Sequence, residues 1–147
     1  KMTAQKVDLI ISPDQHREPN AAARLRVRWS AVTILLAGGI FVQAGFAGGM
    51  LSGFSFAHSA HAMTAGVLTA ATFIAGLVAL VSLRGIEHGR KLGWTLLTLA
   101  AAIFVQTVIG KLSAEGANLM WVHVPLGVAL VGLAAQAATR ARTLGGA

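Results

Sequence analysis

The chain has no cysteine and no tyrosine, and among its 147 residues only three are proline and only five are acidic. Without cysteine there can be no disulfide, thiolate metal site, iron–sulfur cluster or covalently attached c-type haem. Charged residues make up 12% of the chain, where a soluble domain carries about a quarter. The acids are Asp8, Asp14, Glu18, Glu87 and Glu115, and none falls inside an apolar run. Carboxylates inside the membrane mark most proton and ion pathways, so their absence weighs against a transporter. The shortage of proline leaves the apolar runs unbroken except at Pro125.

What the chain has in quantity is apolar sequence, 55% of its residues. It gathers into runs of the length a helix needs to cross a bilayer core, roughly 20 residues. Four spans are expected, at about 29–51, 57–83, 92–112 and 119–138. Barrel strands would alternate polar with apolar residues over about ten residues, and these runs do not alternate. The connections "SGFSFAHS", "RGIEHGRK" and "SAEGAN" are short. Short connections make neighbouring spans antiparallel. The expected fold is an all-α integral membrane protein, an up-down bundle of four transmembrane helices made of two similar hairpins. The bundle covers 29–140, between a polar tail at 1–28 and a short tail at 141–147.

The net charge is +7. Its distribution points to membrane orientation rather than to nucleic acid. Eleven of the twelve lysines and arginines lie in the N-terminal tail, the middle connection or the C-terminal tail. By the positive-inside rule those segments face the cytoplasm, which places the chain in the inner (plasma) membrane with both ends inside. The first 28 residues lack the apolar core of a signal peptide, and Pro13 and Pro19 disfavour a long helix there. Arg24, Arg26 and Arg28 are expected to anchor to headgroups, with Trp29 at the interface.

The tetrapeptide "IFVQ" occurs twice, at 40–43 and 103–106. It opens two alignable stretches, "IFVQAGFAGGMLSG" and "IFVQTVIGKLSAEG". Each is followed, one short loop later, by a histidine near the start of an even-numbered span: His61 and His123. A duplicated hairpin accounts for this order, and it would set the two histidines at similar depth, one from each half. Ionisable residues within a membrane usually face the bundle interior and find partners there. Two facing imidazoles suit haem iron, which takes one axial ligand on each face. Structural hydrogen bonding between helices is the alternative.

Gly45, Gly49 and Gly53 recur at intervals of four, with Ala44 and Gly48 beside them, and Gly127 lies one turn beyond His123. These small residues would let a macrocycle approach the backbone, or would serve ordinary small-xxx-small helix packing. His58 lies three residues before His61 and is read as an alternative ligand, a propionate contact or an exposed loop residue. His16 and His88 fall in cytoplasmic segments and are expected to be solvated. Gln43 and Gln106 must be hydrogen-bonded if buried, by bridging helices or by lining a pocket. Lys111 would pair with a haem propionate or with Glu115, four residues on. Pro125 frees a backbone carbonyl beside His123.

The stretch "IFVQTVIGKLSAEG" followed by "WVHVPLGVALVGLA" resembles the odd–even hairpin of the heme A synthase family. "IFVQAGFAGGMLSG" followed by "HAMTAGVLTAA" resembles the same hairpin again. The likeness spans roughly residues 33–140, and the pattern is also similar to small four-helix bacterial membrane proteins. It implies a four-helix bundle holding haem b near its outer surface, with His61 and His123 as ligands. The family has eight spans, an acidic residue ahead of the histidine of its second span, and in many members a pair of outer-loop cysteines. This chain has four spans, reads "AHSAHA" at the acidic position and has no cysteine. What remains implied is the scaffold for haem rather than the synthase reaction. The expected function is electron transfer or haem handling. A cofactor-free or pigment-binding subunit of a larger membrane complex is the alternative. Lipid, other subunits or a second copy of the chain are the expected partners.

Overall fold

A computed structural model describes residues 21–145. The stretch holding Pro13, His16 and Pro19 lies outside the described residues, as do 146 and 147. The rest is helical: α1 (Ala21–Leu51), α2 (Ser55–Ser82), α3 (Gly89–Ala114) and α4 (Met120–Arg142). All four are long and apolar enough to cross a membrane. Helix α1 starts eight residues before the expected span. Its opening residues "AAARLRVR" are mostly strong helix formers, so Arg24, Arg26 and Arg28 ride on the helix itself. Helices α2, α3 and α4 begin and end within a few residues of the expected spans.

The helices form a ring in which α1 touches α2, α2 touches α3, α3 touches α4 and α4 touches α1, with no contact across either diagonal. Helices α2 and α3 approach most closely, and glycine makes the approach possible. A Cβ on Gly76 would lie 2.7 Å from the Leu97 side chain and 3.0 Å from its backbone nitrogen. A Cβ on Gly93 would meet Leu80 at 2.6 Å and its backbone nitrogen at 3.0 Å. The closest glycine contacts are therefore between α2 and α3; along α1, Gly49 also packs against α2, where an added Cβ would lie 3.1 Å from Ala57 Cβ.

The α1–α2 and α3–α4 turns are stopped alike. Phe54 N–H donates to the Gly49 carbonyl and Gly53 N–H to the Met50 carbonyl. Ala117 N–H donates to the Leu112 carbonyl and Gly116 N–H to the Ser113 carbonyl. This is the Schellman arrangement, which needs a left-handed residue at the turn. Gly53 and Gly116 supply it, with φ of 82° and 104°. Each lies ten residues beyond its repeat glutamine, Gln43 or Gln106.

The buried core fills only part of the ring. At the basic end, Trp29, Leu83, Leu92, Leu96, Ala137 and Leu144 pack in one cluster. A second cluster, with Ile40, Leu68, Leu99, Ile103, Leu130 and Ala134, continues toward the middle. There the core stops. Beyond Ile40 on α1, beyond Ile103 on α3 and ahead of Leu130 on α4, no residue is buried; on α2 ahead of Ala65 only Ala57 is. Trp29 departs from its expected interfacial place. It shares the inward stripe of α1 with Thr33, Leu36 and Ile40, so it packs in the core. Trp94 and Trp121, near opposite ends of the bundle, are the exposed tryptophans. His88 is half-buried rather than solvated. It caps α3 in the left-handed conformation, with Nδ1 3.9 Å from Glu87 and no hydrogen-bond partner for that nitrogen.

Candidate functional site

The open end of the ring collects the polar residues of the repeat. On α1, Gln43 continues the inward stripe of Trp29, Thr33, Leu36 and Ile40. On α2, His61 lies on the stripe of Ala65, Leu68 and Thr72. On α3, Gln106 and Gly110 follow Leu99 and Ile103. On α4, His123 lies on the stripe of Leu130, Ala134 and Ala137. Spacings of three and four residues hold a set of side chains on one helical face. All four repeat residues, the two glutamines and the two histidines, are half-buried.

The same bond recurs in both halves. Gln43 Nε2 donates to the His61 carbonyl at 3.0 Å, and Gln106 Nε2 donates to the His123 carbonyl at 2.8 Å. Each glutamine ties its odd-numbered helix to the turn of the next helix that carries the histidine. In the first half the network closes further. His61 Nδ1 lies 3.2 Å from the Gln43 carbonyl. A carbonyl can only accept, so Nδ1 carries the proton and Nε2 keeps its lone pair free. Thr64 donates from Oγ1 to Gln43 Oε1. Gln43 thus uses side chain and backbone together to orient the imidazole.

In the second half the His123 ring lies against Gly110. A Cβ there would come within 2.8 Å of its Cε1. Gly127 gives the same relief beside Gln106, whose Nε2 would lie 3.2 Å from an added Cβ. His123 Nδ1, Gln106 Oε1 and Ser113 Oγ are buried without hydrogen-bond partners. Buried orphan polar atoms are uncommon in folded proteins, and outside this group Thr72 Oγ1 and His88 Nδ1 are orphaned as well. Helices α2 and α4 face each other across a diagonal of the ring.

The remaining expected residues lie outside this group. Gly45 and Gly49 line an open apolar groove of about 460 Å³, walled by Phe41, Phe46, Phe54 and Phe56. Neither histidine contributes to that groove. The reason is angular: Gly45 and Gly49 fall two and six residues after Gln43, on the far side of α1. Gly48 is exposed, with open space where a Cβ would be. His58 is exposed in the first turns of α2. Lys111 is exposed on α3, and among the described residues it makes no ion pair with Glu115. Thr64 and Leu126 went unread in the sequence, where Gly110 and Ser113 count only as parts of the repeat. Aligning the two hairpins on their histidines would have exposed Thr64 and Leu126, each three residues after its histidine.

Comparisons with protein-family models, with curated proteins and with solved structures find no match. Chemistry must therefore be argued from the residues. Among the described residues no three or more His, Cys, Asp or Glu gather into a metal-binding group. A bare metal ion has too few protein ligands here. Haem brings four nitrogens of its own and asks the protein for two axial ligands at most. The residues fit that demand. Two imidazoles lie on inward stripes, and the Nδ1 bond of His61 to the Gln43 carbonyl leaves its Nε2 free. Glycine lies under the other, and orphan polar atoms sit where the core has ended.

Proposed function

We propose that this chain is a multi-pass protein of the inner (plasma) membrane that binds b-type haem between His61 and His123. In this reading it serves electron transfer or haem handling. The observation that carries it is the repeated glutamine–histidine pair at the end of the ring where the buried apolar core stops. Two structural histidines would account for hydrogen bonds but not for the missing core. The resemblance of both hairpins to the heme A synthase family supports the same assignment, as does the matched Schellman glycine ten residues after each glutamine.

Bound there, haem would be held by His61 and His123 and would supply one-electron chemistry. The chain's own residues position it. Gln43 and Thr64 orient His61. Gln106 holds the turn that bears His123. Gly110 and Gly127 keep α3 and α4 free of side chains beside that ring and its glutamine. Lys111, with no ion pair to Glu115, is available to a propionate at the outer end. The arginines of α1 and the basic residues of the α2–α3 connection face the cytoplasm, which puts the site toward the outer surface.

The test is a reduced-minus-oxidised visible spectrum of protein purified from its native membrane, compared with His61→Ala and His123→Ala. The expected result is a sharp low-spin b-type spectrum in the parent, lost or turned high-spin in both variants. An intact but colourless protein would overturn the haem reading and direct attention to a larger complex that this bundle joins.

A further inference from the structure

The repeat does not complete its two halves in the same way. After His61, the third residue is Thr64, whose hydroxyl donates to Gln43 Oε1. After His123, the third residue is Leu126, which has no hydroxyl to give. Gln106 Oε1 is left without a donor. The two ring nitrogens differ as well. His61 Nδ1 closes its bond to the Gln43 carbonyl at 3.2 Å. His123 Nδ1 is buried and has no hydrogen-bond partner. Ser113 Oγ, three residues beyond Gly110 on the same helix, is a third orphan. No atom of Gln43, His61 or Thr64 is among the buried polar atoms without a partner.

The difference has a chemical consequence. A ligating histidine whose other nitrogen donates to a fixed oxygen is held in one tautomer and one orientation, and becomes a stronger base toward the metal. A histidine without that bond turns more freely about its side-chain torsions. Gly110 beneath it offers no side chain to block the movement.

Resting on the haem reading above, we infer that the two histidines are inequivalent ligands. His61 is the permanent one, and His123 gives way to small neutral ligands of the iron on the α3–α4 side. The exchange is a ligand substitution, with no net transfer of electrons or protons. Gln106 Oε1 and Ser113 Oγ are then unpartnered polar atoms about one helical turn to either side of Gly110.

Carbon monoxide is the probe, added to the dithionite-reduced, haem-containing protein in detergent and read by its Soret band. The parent protein is expected to bind it. His123→Ala is expected to keep its haem and to bind carbon monoxide about tenfold more tightly, while His61→Ala loses its haem; second-shell and ligand changes act on this scale. Two reciprocal variants test the cause without touching either ligand. Leu126→Thr supplies the missing donor and is expected to weaken carbon monoxide binding. Thr64→Leu removes the donor from the first half and is expected to strengthen it. A parent protein that retains haem but refuses carbon monoxide overturns the inference, as do histidine variants with identical spectra and affinities or reciprocal variants that leave binding unchanged. In each of those cases the haem reading stands. Protein without haem absorption overturns both.

Discussion

A glutamine inside an apolar helix carries two donors and an acceptor that lipid cannot satisfy. Gln43 meets this demand within the bundle: it donates to the His61 carbonyl and accepts from Thr64. Gln106 makes only the donor bond, to the His123 carbonyl. The two glutamines therefore contribute unequally, although their sequence surroundings match. Gln43→Ala removes two side-chain bonds, strands the Thr64 hydroxyl from its partner across the helix pair, and is expected to cost about 1–2 kcal/mol; Gln106→Ala removes one bond and one orphan atom and is expected to cost about 0.5 kcal/mol, on the scale of interhelical bonds in membranes. Thermal unfolding in detergent would rank them. Equal midpoints for the two variants would contradict the asymmetry between the halves.

Helix pairs impose demands of a different kind. Where α2 crosses α3, Gly76 opposes Leu97 and Gly93 opposes Leu80, each at distances a Cβ could not tolerate without movement of backbone. Membrane helices gain little from the hydrophobic effect when they associate, so close van der Waals contact carries much of the packing energy. Gly76→Ala and Gly93→Ala are each expected to destabilise the bundle by about 1–3 kcal/mol, the cost of overpacking a close contact. Gly38→Ala and Gly132→Ala, at helix positions with open space, are the matched controls and are expected to leave the unfolding midpoint unchanged or slightly raised. A loss in the controls equal to that in Gly76→Ala would show that the crossing is not tight. At the basic end, Arg140 adds a polar tie by donating to the Lys91 carbonyl at 3.1 Å and to Thr95 Oγ1. That tie joins α4 to α3 where the core is already dense.

The whole molecule is thus tight at one end and open at the other. Large apolar side chains such as Phe41, Leu51, Val81 and Val128 face outward around the ring. A soluble monomer rarely carries so much exposed apolar surface; in a bilayer, acyl chains would cover it without penalty. The orientation has a direct check, because the chain has no cysteine of its own. Single substitutions Ala117→Cys, in the α3–α4 turn, and Gly85→Cys, in the α2–α3 connection, would be exposed to a membrane-impermeant maleimide on intact cells. Ala117→Cys is expected to react and Gly85→Cys to react only after the membrane is opened. The reverse pattern would invert the topology and move the histidine site to the cytoplasmic side.

The sequence by itself determined the four helices, because runs of some twenty apolar residues bounded by arginine, lysine and glycine permit little else. It also determined the inward placement of His61, Gln106, Gln43 and His123. A polar group in an apolar helix has one tolerable direction, and three- and four-residue spacing ties that direction to the core stripe. Only the tertiary structure decided which glycines do what. Gly45 and Gly49 share a stripe as regular as any in the chain, yet they line a groove away from the histidines, with Gly49 also packed on Ala57 of α2, while Gly76 and Gly93 make the closest helix contact. A glycine carries no side chain to report its neighbour, so its role depends on which helix arrives opposite it. Trp29 was misplaced for a related reason: an aromatic beside arginines suits a headgroup interface equally well, and the early start of α1 turned it into the core. The unequal halves of the site also awaited the structure. Thr64 and Leu126 gain meaning only once the glutamine opposite each is seen with or without its donor.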